Sequence, residues 1–302
     1  MKFSTRAIHG GRSGLGYAHV PPIDLSTTYK TPYLDEATDS IDAMANGDLP
    51  TGTPVYQRLH NPTVARFEQA LADLENAEQA VSFASGMAAV TAAILAARMM
   101  GRHVIAIRPL YGGTDHLLTS GLLDVDVSWA TPSTVRQHIR RDTALIMCET
   151  PANPTLQLID IEEIVSQSEG IPVLVDSTFA TPALQQPLDF GAKMVLHSGT
   201  KFIGGHGDVM AGVIACDETW ASRLRQVRIL TGANLNPMAA YSLHRGLQTL
   251  PIRVSKAQEN ARFLVEQLCQ HPNVERVLYP ELPECDPKGI LHRQLKGPGS
   301  II

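Results

Sequence analysis

From Asn61 onward, short apolar runs alternate with stretches of helical spacing, and no other feature constrains the fold as much. The runs are Ala80–Phe83, His103–Ile107, Val125–Trp129, Ala144–Cys148, Pro172–Asp176, Met194–His197 and Val209–Ile214. Several are continuously apolar, as parallel strands covered on both faces are. Strands separated by helices predict an α/β protein built on a doubly wound, mostly parallel sheet. Asn61-Pro62 predicts an N-cap followed by proline at the first helical position. Val64, Phe67, Leu71 and Leu74 then share one helix face. Beyond Leu250 the spacing of Val254, Ala257, Ala261, Leu264, Val265 and Leu268 predicts a long helix, followed by a strand over Val274–Leu278. The first 50 residues, punctuated by Gly10-Gly11, Pro21-Pro22, Pro32 and Pro50, hold no apolar period for long. They are expected to form an irregular arm lying over something else, such as a second subunit. The expected division is an N-terminal arm over 1–54, the main sheet domain over 55–251, and the start of a smaller, incomplete C-terminal α/β domain over 252–302. The ending Gly297-Pro298-Gly299-Ser300-Ile301-Ile302 has the look of a chain cut at the start of a strand.

Composition excludes several classes. Lys+Arg 25 against Asp+Glu 30 gives a formal charge of −5, opposite in sign to a basic nucleic-acid-binding domain. The most apolar long stretch, Met87–Ala97, is shorter than the about 20 residues a spanning helix needs. Met1-Lys2-Phe3-Ser4-Thr5-Arg6 opens without an apolar signal region. The four cysteines, Cys148, Cys216, Cys269 and Cys285, form no C-x-x-C and suit reduced thiols of a cytoplasmic protein. No nucleic acid, no membrane and no metal is expected as a partner.

Open α/β sheets bind ligands at the carboxyl ends of their strands. The residues just past the predicted strands are Ser85-Gly86-Met87, Pro109 to Thr114, Glu149 to Pro154, Asp176-Ser177-Thr178, and Ser198-Gly199-Thr200-Lys201. Ser85-Gly86-Met87 opens a helix, whose free amides suit an anion. It is not G-x-G-x-x-G, and the chain has no G-x-x-x-x-G-K-[ST], so a dinucleotide or P-loop site is disfavoured. Lys201 lies between a buried strand and Gly204-Gly205, where a desolvated amine with a lowered pKa becomes nucleophilic. His197 and His206 are nine residues apart, without the spacing of metal ligands on a helix.

In these residues the chain resembles the Cys/Met-metabolism pyridoxal-phosphate enzymes: cystathionine γ-synthases, cystathionine γ-lyases, β-lyases and methionine γ-lyases. The matching stretches are Tyr56-Gln57-Arg58 with Asn61-Pro62-Thr63, Ser85 to Ala89, Tyr111 to Thr114, Asn153-Pro154, Asp176 to Phe179, and His197 to Phe202. They run in order from about Ile8 to the C-terminus. The resemblance implies the type I pyridoxal-phosphate fold, with Lys201 carrying the cofactor as a Schiff base. It implies that Asp176 pairs with the pyridine nitrogen, keeping the ring an electron sink. Ser85, Ser198, Thr200 and the amides of Gly86 and Met87 are expected at the phosphate. Tyr56 and Arg58 are expected to reach the phosphate from a neighbouring subunit. Tyr111 is expected to stack on the ring and move protons, and Asn153 to hydrogen-bond its O3′. A homodimer with shared sites, and a tetramer of two such dimers, follow from the resemblance. Two departures stand out. Ser177 replaces a common Asn, and the C-terminal arginine expected to bind the substrate carboxylate has no counterpart here.

The reaction implied is γ-elimination or γ-replacement on a sulfur amino acid. Gly112-Gly113 after Tyr111, where methionine γ-lyases commonly have Gly-Cys, turns the expectation towards a cystathionine γ-lyase or γ-synthase. Methionine γ-lyase and cystathionine β-lyase are the alternatives. A remote one is a serine acyl hydrolase using Ser198-x-x-Lys201, for which the chain lacks S-D-N and K-T-G. A non-catalytic fragment that binds cofactor and dimerises is a third reading.

Overall fold

The structure, a computed structural model, describes residues 1–302. Its strands are β1 (Gln79–Phe83), β2 (His103–Ile107), β3 (Asp126–Ala130), β4 (Thr143–Glu149), β5 (Val173–Asp176), β6 (Met194–Ser198) and β7 (Gly212–Cys216). Two compact units divide the chain: Met1–Ala96 with Ser198–Gln248, and Ala97–His197 with Thr249–Ile302.

In the second unit the pairings β2–β3, β2–β4, β4–β5 and β5–β6 are all parallel. Residues Val104–Ile107 and Ala144–Cys148 are buried throughout, the continuous apolar signature of a covered parallel sheet. Ile105, Ile107, Ile146, Cys148, Val173 and Val175 pack with Ile161 and Ile164 of the helix Ile161–Gln167. In the first unit β1 and β7 pair antiparallel, Gln79 opposite Cys216 and Phe83 opposite Gly212. The strands are therefore mostly parallel with one antiparallel pairing, in an α/β protein as expected.

Asn61 caps the helix Pro62–Glu75 as predicted: its Oδ1 accepts from the amides of Thr63 at 3.0 Å and Val64 at 3.1 Å. Val64, Phe67, Leu71 and Leu74 are all buried. Asn61→Ala should cost about 1 kcal/mol of stability, the usual loss for a side-chain cap. The urea midpoint should fall with its slope unchanged.

Three local expectations are corrected. The first 50 residues are not wholly irregular, for Phe3–His9 and Leu34–Ala45 are helices. Each buries little, Ala7 in the first and Ala37, Ser40 and Met44 in the second, so neither leaves a strong apolar period. The helix beyond Leu250 begins earlier, at Pro237, and runs to Leu268 through Pro251. No strand forms over Val274–Leu278. Val277 and Tyr279 instead pack on Ala261 and Val265, and the Tyr279 hydroxyl donates to the Gly299 carbonyl at 3.0 Å. An apolar run becomes a strand only where a neighbour pairs with it, and none pairs here.

Candidate active site

In the first unit the turn after β1 and the turn after β6 close on one another. A Cβ built on Gly86 would stand 3.1 Å from both Cβ and Oγ of Ser198, so only glycine lets the two backbones come this near without a shift. Gly212 is tighter still, since its Cβ would lie 2.2 Å from the carbonyl oxygen of Ser85. Ser85 Oγ accepts from the Ala88 amide at 3.1 Å, as an N-cap does for the helix Gly86–Arg98. The first-turn amides of Gly86 and Met87 then have no intrahelical acceptor and carry the positive end of the helix dipole. This cradle fits a phosphate group.

Lys201 sits in a tight turn. Its amide donates to the Ser198 carbonyl at 3.1 Å, and its own carbonyl accepts from the Gly205 amide at 2.8 Å. The side chain is exposed and forms no ion pair. The Thr200 hydroxyl is already engaged, donating to the Ala211 carbonyl at 3.2 Å and accepting from the Ala211 amide at 3.0 Å. With its one proton used, Thr200 must release Ala211 before it can donate to a phosphate. Tyr56 and Arg58 make their contacts elsewhere in this unit. The Arg58 guanidinium stands 5.5 Å from the Tyr56 ring centroid and donates to the Ile229 carbonyl at 2.7 Å. Tyr56 bridges Thr28 of the arm, and neither residue hydrogen-bonds to the Gly86 or Lys201 turn.

In the second unit β5 ends on Asp176. Its Oδ1 accepts from the amide of Thr178 at 3.0 Å and from its hydroxyl at 2.6 Å, which fixes the carboxylate's direction. Burial pushes this carboxyl above the usual range, while the Thr178 bonds and His197 pull it back. Tyr111, at the end of the loop after β2, is 49 % exposed and precedes the helix Gly112–Thr119. Asn153 lies in the loop after β4 and, with Leu110 and Gly112 beside Tyr111, lines one cavity of about 640 Å³. Tyr111 and Asn153 are joined by a residue to which the sequence assigned no role. Glu149, the last residue of β4, accepts from the Tyr111 amide at 2.5 Å and from the Asn153 amide at 2.9 Å. It stands opposite Asp176 in the β4–β5 register. A carboxylate closing the apolar run Ala144–Cys148 was the only sequence signal for it.

The family model described as Cys/Met metabolism PLP-dependent enzyme matches residues 4–302. A protein of Brevibacterium aurantiacum named L-methionine gamma-lyase is 55% identical over 305 residues, covering 99% of this chain and 75% of that protein. The solved structure of metB from Corynebacterium glutamicum matches with a TM-score of 0.88 at 34% identity, covering 99% of this chain and 77% of that one. A cystathione gamma lyase, CalE6, from Micromonospora echinospora matches with a TM-score of 0.87 at 36% identity, covering 99% and 78%.

Proposed function

The chain belongs to the Cys/Met metabolism PLP-dependent enzyme family, a pyridoxal-phosphate-dependent carbon–sulfur lyase, and from that premise we propose that it cleaves L-methionine by γ-elimination. The observation that carries this reading is the 55% identity to an L-methionine gamma-lyase across 99% of the chain. It corrects the emphasis drawn from Gly112-Gly113. Two positions favoured the cystathionine enzymes, whereas similarity spread over the whole chain favours methionine.

In this reading the Lys201 amine would hold the cofactor, and the same amine, when free, would take the proton from the substrate Cα as general base. Gly86 and Met87 offer amides to the phosphate, with Ser85, Ser198 and Thr200 beside them. Asp176 would hold the ring nitrogen protonated, and Asn153 would hydrogen-bond the ring oxygen. Tyr111 supplies a ring for stacking and a phenol that moves a proton as the γ-substituent leaves. Tyr56 and Arg58 serve the phosphate of a partner copy, which makes a homodimer the smallest complete unit and a tetramer a pair of these. When bound, the cofactor supplies an electron sink for the negative charge that develops at Cα. Methionine and one water give methanethiol, ammonia and 2-oxobutanoate, which balances all atoms.

The test is holoenzyme with L-methionine, L-cystathionine and O-acetylhomoserine, following thiol and oxo acid release. Methionine should give the highest kcat/KM, at least about tenfold above cystathionine, a margin of about 1.4 kcal/mol in transition-state binding. Cystathionine preferred by that margin, or cysteine captured in place of water, would return the assignment to the cystathionine pair.

A further inference from the structure

We infer that Glu149 is a positioning residue for this reaction, its carboxylate pinning the loop that carries Tyr111 to the loop that carries Asn153. The inference rests on the roles proposed above for those two residues. Its geometry lies entirely within the second unit.

The loop after β4 is fixed from several sides. The Thr150 hydroxyl accepts from the Ile159 amide at 3.0 Å, the Thr150 carbonyl accepts from Gln185 Nε2 at 2.9 Å, and the Ala152 amide donates to the Gln157 carbonyl at 3.0 Å. Tyr111 has much less support. The residue is 49 % exposed, so packing holds it only in part. Its carbonyl starts the following helix by accepting from Thr114 and Asp115, and Glu149 Oε2 is the acceptor for its amide. Glu149 Oε1 meanwhile takes the Asn153 amide. One carboxylate thus transfers the rigidity of the β4 loop to the backbone of Tyr111, 38 residues away in sequence. With about half of the residue exposed, its position depends heavily on its backbone.

The carboxylate occupies an expensive place. Burial and the facing Asp176 raise the Glu149 carboxyl above the usual range, against the pull of the two amides. The other groups around the pair are the Cys148 thiol on β4, raised by burial, and His197, which acts on Asp176. A neutral side chain of the same shape would avoid that cost. The two amides sit on different oxygens, Tyr111 on Oε2 and Asn153 on Oε1, so both keep their partners only if the side chain presents an acceptor at each position.

The test is a cycle on the holoenzyme with Glu149→Gln, Tyr111→Phe and the double variant. Glutamine keeps the shape but turns one acceptor into a donor, so one amide loses its partner. Glu149→Gln should lower kcat by about ten- to a hundredfold, the scale of an ångström-level misplacement, with KM moved less. In the Tyr111→Phe background the same change should cost under about threefold, because coupled residues are not additive. Hydrogen exchange of the peptides over 109–113 and 151–155 should accelerate at least about tenfold in at least one of them, while β4 itself stays protected. A kcat loss that is undiminished in the Tyr111→Phe background, or unchanged exchange in both loops, overturns the inference. Should Glu149→Gln fail to fold, Glu149→Asp, which shortens the reach by one methylene, is read in the same way. A wild type without methionine turnover overturns the substrate reading alone; the cycle then runs on whichever substrate turns over, and the exchange experiment still decides the pin.

Discussion

Lys201→Ala should yield a folded chain that no longer fixes cofactor on borohydride reduction and no longer exchanges the substrate Cα proton with solvent. The side chain is exposed and forms no ion pair, so its loss leaves no buried partner behind. The turn around it is held by backbone bonds from Lys201 to Ser198 and from Gly205 to Lys201, which alanine retains. Stability should therefore move by under about 0.5 kcal/mol, as for other surface changes. Activity should fall by at least about 10⁴-fold, because the proposed function gives one amine both the covalent attachment and the general-base role. Mass spectrometry of the reduced wild type should place the added mass on the peptide containing Lys201. Label on another lysine, or measurable Cα exchange by the variant, removes Lys201 from the site.

Asp176→Asn should be the next most damaging change. The Thr178 amide and hydroxyl both donate to Oδ1, and an amide oxygen accepts from both, so the local turn survives. What disappears is the negative charge. A charge-assisted hydrogen bond is roughly twice as strong as a neutral one. Deleting one preorganised electrostatic stabiliser costs about 10²–10³ in rate. Methionine turnover and deuterium incorporation at Cα from D2O should therefore fall together by about that factor, with cofactor affinity less affected. The apo chain should respond in the opposite sense. The folded carboxyl is raised above its unfolded value, so the wild-type group destabilises the fold progressively as pH rises above the unfolded pKa. The asparagine variant, free of that cost, should be the more stable one at neutral pH without cofactor. Near-normal turnover in Asp176→Asn would leave the carboxylate as a turn residue only.

Much of this was legible in one dimension. A parallel strand buried on both faces has to be apolar throughout, so β2, β4, β5 and β6 announce themselves, and the residues after them are marked as site candidates by position alone. That is how Asp176, Lys201 and the Gly86 turn became candidates, to which the family resemblance then attached expected roles. The antiparallel partnership of β1 with β7 was not legible, because pairing direction leaves no trace in a five-residue run. Nor was the fate of Val274–Leu278, whose residues have strand propensity but meet a helix instead of a neighbouring strand. Gly112-Gly113 pointed to the cystathionine enzymes, whereas the 55% identity over the chain favours the methionine alternative; specificity is a sum over many contacts, and two positions sample few of them.

The sequence by itself determined the α/β class, the capped helix after Asn61 and the residues available for chemistry, because each depends on local spacing. Only the tertiary structure decided which of those residues hold one another in place. Glu149 reaches two amides from two separate loops, and no periodicity records a contact between a side chain and a distant backbone. Gly86 against Ser198 and Gly212 against Ser85 are likewise defined by the approach of chains far apart in sequence. Backbone amides are the same in every residue but proline, so where they converge on a carboxylate is set by the path of the folded chain alone.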